Sequence, residues 1–127
     1  MNPRQAFALG GLLLCSLPHA AEKTKPETAQ ARPLIGNYQV YGGSVADMLP
    51  PTPADRNLAF RFEGQTAKDL FDYIGPDVKK TKACTDNPDY RERRRGNLHC
   101  VYWKTSGYRC FLGLDLRTGE TANGSTC

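Results

Sequence analysis

The stretch Asn97-Leu98-His99-Cys100-Val101-Tyr102-Trp103-Lys104-Thr105-Ser106-Gly107-Tyr108-Arg109-Cys110-Phe111-Leu112-Gly113-Leu114-Asp115-Leu116 decides how this chain folds. Two runs of bulky residues flank a short polar segment that ends in glycine, the pattern of a β-hairpin. In the first run Leu98, Cys100 and Tyr102 alternate with His99, Val101 and Trp103. Both faces carry large side chains, so this strand is expected inside a sheet. In the return strand Cys110, Leu112 and Leu114 share one face, and Arg109, Phe111 and Gly113 the other. With Lys104–Gly107 as the loop, Trp103 meets Tyr108 and Cys100 faces Phe111, which sends Cys100 and Cys110 to opposite faces.

Upstream, Leu58, Phe60 and Phe62 alternate with Asn57, Ala59 and Arg61, a strand with one buried face. A helix should follow: Thr66 is placed to cap it, Asp69 stands three residues later, and Ala67, Leu70, Phe71 and Ile74 form its apolar stripe. Gly75 and Pro76 end it. Leu34–Tyr41 reads as a further short strand, and a weak terminal strand leads to Cys127. Between them, the glycines and prolines from Gly42 to Asp55 predict a long loop, a feature that in small domains is often functional. Asp77–Gly96 is hydrophilic, with a short helical turn before Cys84 and a loop at Asp86, Asn87 and Pro88. The expected fold class is α+β: a small antiparallel sheet of about four strands with one main helix packed on it.

The N-terminus reads as an export signal over residues 1–21, with Arg4, an apolar run from Ala6 to Leu17, and Ala20 and Ala21 before Glu22. About twelve apolar residues fall short of the roughly 20 needed to cross a bilayer, and Pro18 interrupts them, so no transmembrane anchor is expected after processing. Residues 22–33 combine charge and proline with no large apolar side chain and read as a disordered arm or linker. Residues 34–127 would form a single disulfide-stabilised domain in the periplasm or outside the cell.

Processing discards Cys15 and leaves Cys84, Cys100, Cys110 and Cys127, an even set that predicts two structural disulfides. The hairpin register above favours Cys84 with Cys100 and Cys110 with Cys127. No Cys-x-x-Cys spacing occurs and His99 is the only histidine after residue 21, so neither a zinc cage nor another metal or cofactor site is expected.

His99 is therefore the one imidazole candidate for acid-base catalysis, with Glu92 and Arg95 as helpers in a small hydrolase or nuclease. A structural place in its strand is the plainer reading. No Ser-His-Asp signature, HExxH, P-loop or Gly-x-Gly-x-x-Gly is present. The charge features are modest: 17 Lys+Arg face 13 Asp+Glu, and only the run Arg91, Arg93, Arg94, Arg95 is concentrated. Its guanidinium groups suit an anionic surface or an acidic partner, but the diluting acids give no nucleic-acid signature. Met48 and Leu49 are the apolar side chains that the long loop offers a partner. Tyr102, Trp103, Tyr108 and Phe111 divide between core and a possible sugar- or protein-binding surface.

Tyr108–Gly119 followed by Gly124 and Cys127, together with Tyr41-Gly42-Gly43 and Leu49-Pro50-Pro51-Thr52-Pro53, resembles a family of small exported proteobacterial proteins with paired cysteines. The resemblance spans residues 38–127. It implies export, disulfides and a compact domain, and it carries over no activity or site residue. With no complete catalytic constellation, the expected role is a non-enzymatic binding module, an inhibitor or immunity protein directed at a cell-wall-active or antibacterial enzyme. The alternatives are a hydrolase or nuclease using His99 and an envelope protein that holds anionic surfaces through its arginines.

Overall fold

A computed structural model describes residues 29–127; the expected signal peptide, Cys15 and residues 22–28 of the expected arm lie outside the described residues. The compact unit runs from Ala31 to Cys127, so the last residues of the expected arm belong to it. Arg32 pairs with Asp69 at 3.1 Å, and the Thr66 hydroxyl reaches back to this segment as well.

The elements in chain order are β1 (Gly36–Ser44), β2 (Asp47–Leu49), β3 (Asn57–Glu63), α1 (Gly64–Tyr73), β4 (Tyr90–Arg95), β5 (Leu98–Trp103), β6 (Gly107–Asp115) and β7 (Thr121–Ala122), with one 3₁₀ turn at Lys80–Lys82. They build one antiparallel sheet of seven strands in the order β2-β1-β3-β6-β5-β4, with β7 on the end of β6. The sheet is thus larger than the four strands expected. Two strands are additions: β2, formed inside the long loop, and β4, formed from the arginine run. Neither shows apolar alternation, which is why periodicity misses them. The weak terminal strand expected toward Cys127 is only the two-residue β7, which ends at Ala122.

The helix packs across β6, β3 and β5 as its stripe predicts. Ala67 and Phe71 are fully buried against Cys100 and Cys110, with Phe62, Leu70, Ile74, Leu98, Tyr102 and Tyr108 around them. The predicted cap differs. The helix starts two residues before Thr66, and the Thr66 hydroxyl instead accepts a hydrogen bond from the backbone N–H of Ile35 at 2.9 Å. That bond fastens the entry of β1 to the helix.

The disulfides correct the expected pairing: the bonds are Cys84–Cys127 and Cys100–Cys110. The cause is one residue of loop length. Trp103 pairs with Gly107, not Tyr108, and Cys100 therefore stands opposite Cys110 on the same face. The loop is Lys104–Ser106, closed by the Ser106 N–H on the Trp103 carbonyl, and Gly107 follows with φ +76°. A three-residue turn completed by a left-handed residue is a standard hairpin geometry, and glycine enters that region without a Cβ clash. Because side chains alternate with period two, the one-residue shift moves Cys110 across the sheet relative to Cys100.

Candidate functional site

Alternation along the strands gives the sheet two unlike faces. On the helix face lie Phe62, Cys110, Cys100, Tyr102 and Tyr108. The opposite face presents Ala59, Phe111, Arg109, His99, Val101, Trp103, Tyr90, Glu92 and Arg94. The aromatic set therefore divides evenly: Tyr102 and Tyr108 pack against the core with tilted rings 4.7 Å apart, whereas Trp103 and Phe111 look away from the helix.

Two segments cross this second face. The chain before β4 brings Cys84 over Glu92, and the C-terminal tail passes over β6 at Gly124. Gly124 is required there, because a Cβ would lie 2.5 Å from the Leu112 nitrogen. The Cys84–Cys127 disulfide clamps the two segments together. Between them and the strands lies an open groove of about 390 Å³. It is lined by Val101, Trp103, Arg109 and Phe111 from the sheet, by Cys84, Ser125 and Cys127 from the crossing segments, and by Tyr90 and His99.

A polar network centred on Glu92 joins Tyr90 and His99 of the groove lining. Glu92 is 1% exposed. One of its carboxylate oxygens accepts the backbone N–H of Cys84 and the Tyr90 hydroxyl, each at 2.8 Å; the other accepts Arg94 Nε. Burial pushes the Glu92 pKa up, but these donors outweigh it and the net shift is downward, so the side chain is a carboxylate at neutral pH. Burial in turn raises the Tyr90 pKa, and its bond to Glu92 adds to the effect. His99 Nδ1 lies 2.7 Å from the Ser125 hydroxyl, and its buried Nε2 faces the Glu92 carboxylate at 3.4 Å without a hydrogen bond. Burial lowers the His99 pKa; Glu92 opposes that and Arg94 reinforces it. The imidazole is therefore neutral at pH 7. Ser125, His99 and Glu92 stand in the order hydroxyl, imidazole, carboxylate.

Cys84, Glu92 and His99 also converge within 4.8 Å, a spacing that suits a metal ion. The Cys84 sulfur is bonded to Cys127, however, and a disulfide sulfur is not the thiolate that divalent metals require. The arrangement does not fit a resident metal.

The arginine run forms edge strand β4 and is engaged internally. Arg91 and Arg93 share Asp77, with Arg91 Nε at 2.7 Å, and Arg91 is the main cause that holds the Asp77 carboxyl below its usual range. Arg93 also donates to the Phe71 carbonyl at 2.8 Å and lays its guanidinium 4.3 Å over the Phe71 ring. Arg95 donates to the Gly75 carbonyl at 3.0 Å. Arg94, on the other face, binds Glu92 and lies 3.1 Å from the Cys127 sulfur. Met48 and Leu49 sit on β2, at the opposite end of the strand order from β4, so they share no patch with the arginines. Met48 borders a small hollow with Gln39 and Phe111, while Leu49 is exposed on the other side.

The groove itself is not visible in sequence, since its parts come from five separated segments. Ser125 and the Cys84–Cys127 clamp carry no motif. The one usable signal is that Trp103 and Phe111 lie out of phase with Cys100 and Cys110. In comparisons with known proteins, the chain matches no family model, no curated protein and no solved structure. Among the described residues no helix is long and apolar enough to cross a membrane.

Proposed function

We propose that this chain is an exported, non-enzymatic binding module, working in the periplasm or outside the cell as an inhibitor or immunity protein against a cell-wall-active or antibacterial enzyme. The observation that carries the reading is the groove. Its lining sets Trp103 and the Arg109 guanidinium, side-chain types that dominate binding energy at protein interfaces, beside Phe111 and Val101. Its walls are held by a disulfide and by the Glu92 network, so little ordering is left to do on binding. Two disulfides in so small a sheet also suit an oxidising compartment.

The test is capture of partner enzymes on immobilised oxidised protein, followed by an activity assay of whatever is retained. A retained enzyme should lose activity on titration with the wild type, and Trp103→Ala should weaken binding at least about tenfold while leaving the circular dichroism spectrum unchanged. Retention that ignores Trp103→Ala and also a replacement of Gly42–Asp55 would overturn the reading.

The Ser125–His99–Glu92 order favours a second reading, a small hydrolase in which neutral His99 takes the Ser125 proton and Glu92 steadies the resulting imidazolium. Ester hydrolysis lost in both Ser125→Ala and His99→Ala supports it. Turnover unchanged by either substitution eliminates it.

A further inference from the structure

The two edges of the sheet are built differently. β4 carries Arg91, Arg94 and Arg95, and its outer side is capped where the Val78 N–H bonds the Glu92 carbonyl at 2.7 Å. Charge and cover of this kind keep a strand edge from pairing with another chain. The edge at β1 has neither. From Leu34 to Ala46 the chain holds no charged residue and no proline. β2 covers only Gly42–Ser44 of β1, so among the described residues the outer side of Gly36–Val40 has no strand partner, and all five residues are exposed.

The direction of the backbone groups follows from the ladder. The Glu63 N–H bonds the Ile35 carbonyl at 3.0 Å, so Ile35 points its polar groups toward β3. With the β1–β3 register, alternation sends Asn37, Gln39 and Tyr41 the same way and turns the N–H and C=O of Gly36, Tyr38 and Val40 outward. The apolar side chains agree with that edge. Of the seven exposed large hydrophobic residues among those described, five are Leu34, Ile35, Tyr38, Val40 and Leu49. Apolar surface concentrated in this way marks an interaction site.

We propose that this edge pairs with β1 of a second copy of the chain, antiparallel about a twofold axis through Tyr38. That register sets Tyr38 against its symmetry mate and Gly36 against Val40, so all three outward-facing residues are satisfied and the ladder stops where β2 begins. Any shift along the edge leaves outward groups unmatched or runs into β2. Self-pairing sets every residue against the same segment of the other copy, and because this segment is uncharged no like charges meet across the pair. The covered β4 edge then ends the sheet on both sides, giving a closed dimer.

Sedimentation velocity on the oxidised protein, from about 1 μM to about 1 mM, reads the assembly directly. The expected result is a concentration-dependent dimer whose dissociation constant rises at least tenfold in Tyr38→Lys, since the axis then carries two facing ammonium groups. Tyr38 is 68% exposed, so the unfolding midpoint of the variant should stay near that of the wild type. Hydrogen exchange on the unmodified protein supplies an independent reading: protection at the Gly36, Tyr38 and Val40 amides should grow with concentration, while the inward Asn37 and Gln39 amides stay protected throughout. A monomer at every concentration, a dimer insensitive to Tyr38→Lys, or open-ended polymers would each overturn the proposal.

Discussion

Cys100 on β5 and Cys110 on β6 stand directly opposite each other, their Cα atoms 4.0 Å apart and their bonded sulfurs fully buried beneath α1. The hairpin loop of Lys104–Ser106 makes this possible, and Gly107 completes the turn. Peptide mapping without reduction should therefore recover Cys100 linked to Cys110 and Cys84 linked to Cys127. A peptide joining Cys84 to Cys100 would contradict the register. Gly107→Ala should cost about 1 kcal/mol in denaturant unfolding, because alanine resists the left-handed backbone at φ +76°.

The second disulfide closes a longer stretch of chain, its cysteines 43 positions apart. In the chain-entropy account, replacing both Cys84 and Cys127 by Ser should remove about 4 kcal/mol of stability, read from the urea midpoint. The same variant frees the C-terminal tail. Its groove should open, with faster hydrogen exchange at Ser125 and Thr126 than at the β5 and β6 amides.

The arginines of β4 should differ sharply in importance. Arg93 binds the Phe71 carbonyl and Asp77 and covers the Phe71 ring, with only 16% of its side chain exposed. Arg95 makes one contact, with the Gly75 carbonyl, from an exposed position. Arg93→Ala is expected to destabilise the fold by about 2 kcal/mol and Arg95→Ala by less than about 1 kcal/mol, compared by denaturant unfolding. Equal effects would mean that the contacts Arg93 makes beyond a single hydrogen bond add no stability.

Acid should destabilise the domain in two stages. His99 has its folded pKa lowered, chiefly by burial, below the ordinary value of 6.5, so the unfolded chain binds the proton more readily and stability falls as pH drops below about 6.5. Glu92 also has a lowered folded pKa, from an ordinary 4.5, because its donors outweigh burial; its contribution is fully present above that value and is lost at lower pH. Thermal midpoints measured against pH should show both limbs. His99→Asn should flatten the upper limb and leave the lower one in place.

Much of the architecture was legible in the chain before folding. The stripe Ala67, Leu70, Phe71, Ile74 and the alternation that buries Leu58 and stacks Phe60 on Phe62 report burial directly, because side chains on one face recur at the period of their element. The strand β4 was not legible. Arg91 and Arg93 cover Phe71 with cationic side chains, and a pattern that counts apolar residues reads them as solvent-facing. Thr66 carried a helix-cap signature, yet the helix already starts at Gly64, and the hydroxyl accepts the Ile35 N–H instead. The site was less legible still: His99 was visible as the one imidazole, while Ser125, Trp103, Phe111 and the disulfide clamp around it come together only across the sheet.

The sequence by itself determined a sheet with one packed helix and two disulfides, because periodicity and cysteine number are local properties of the chain. Which cysteines join, which face Trp103 and Phe111 take, and what the arginines bind were decided by the tertiary structure alone. The physical reason is register. A loop one residue shorter reverses which cross-strand neighbours share a face, and that choice rests on how Gly107 turns the chain and how β5 and β6 meet beneath the helix.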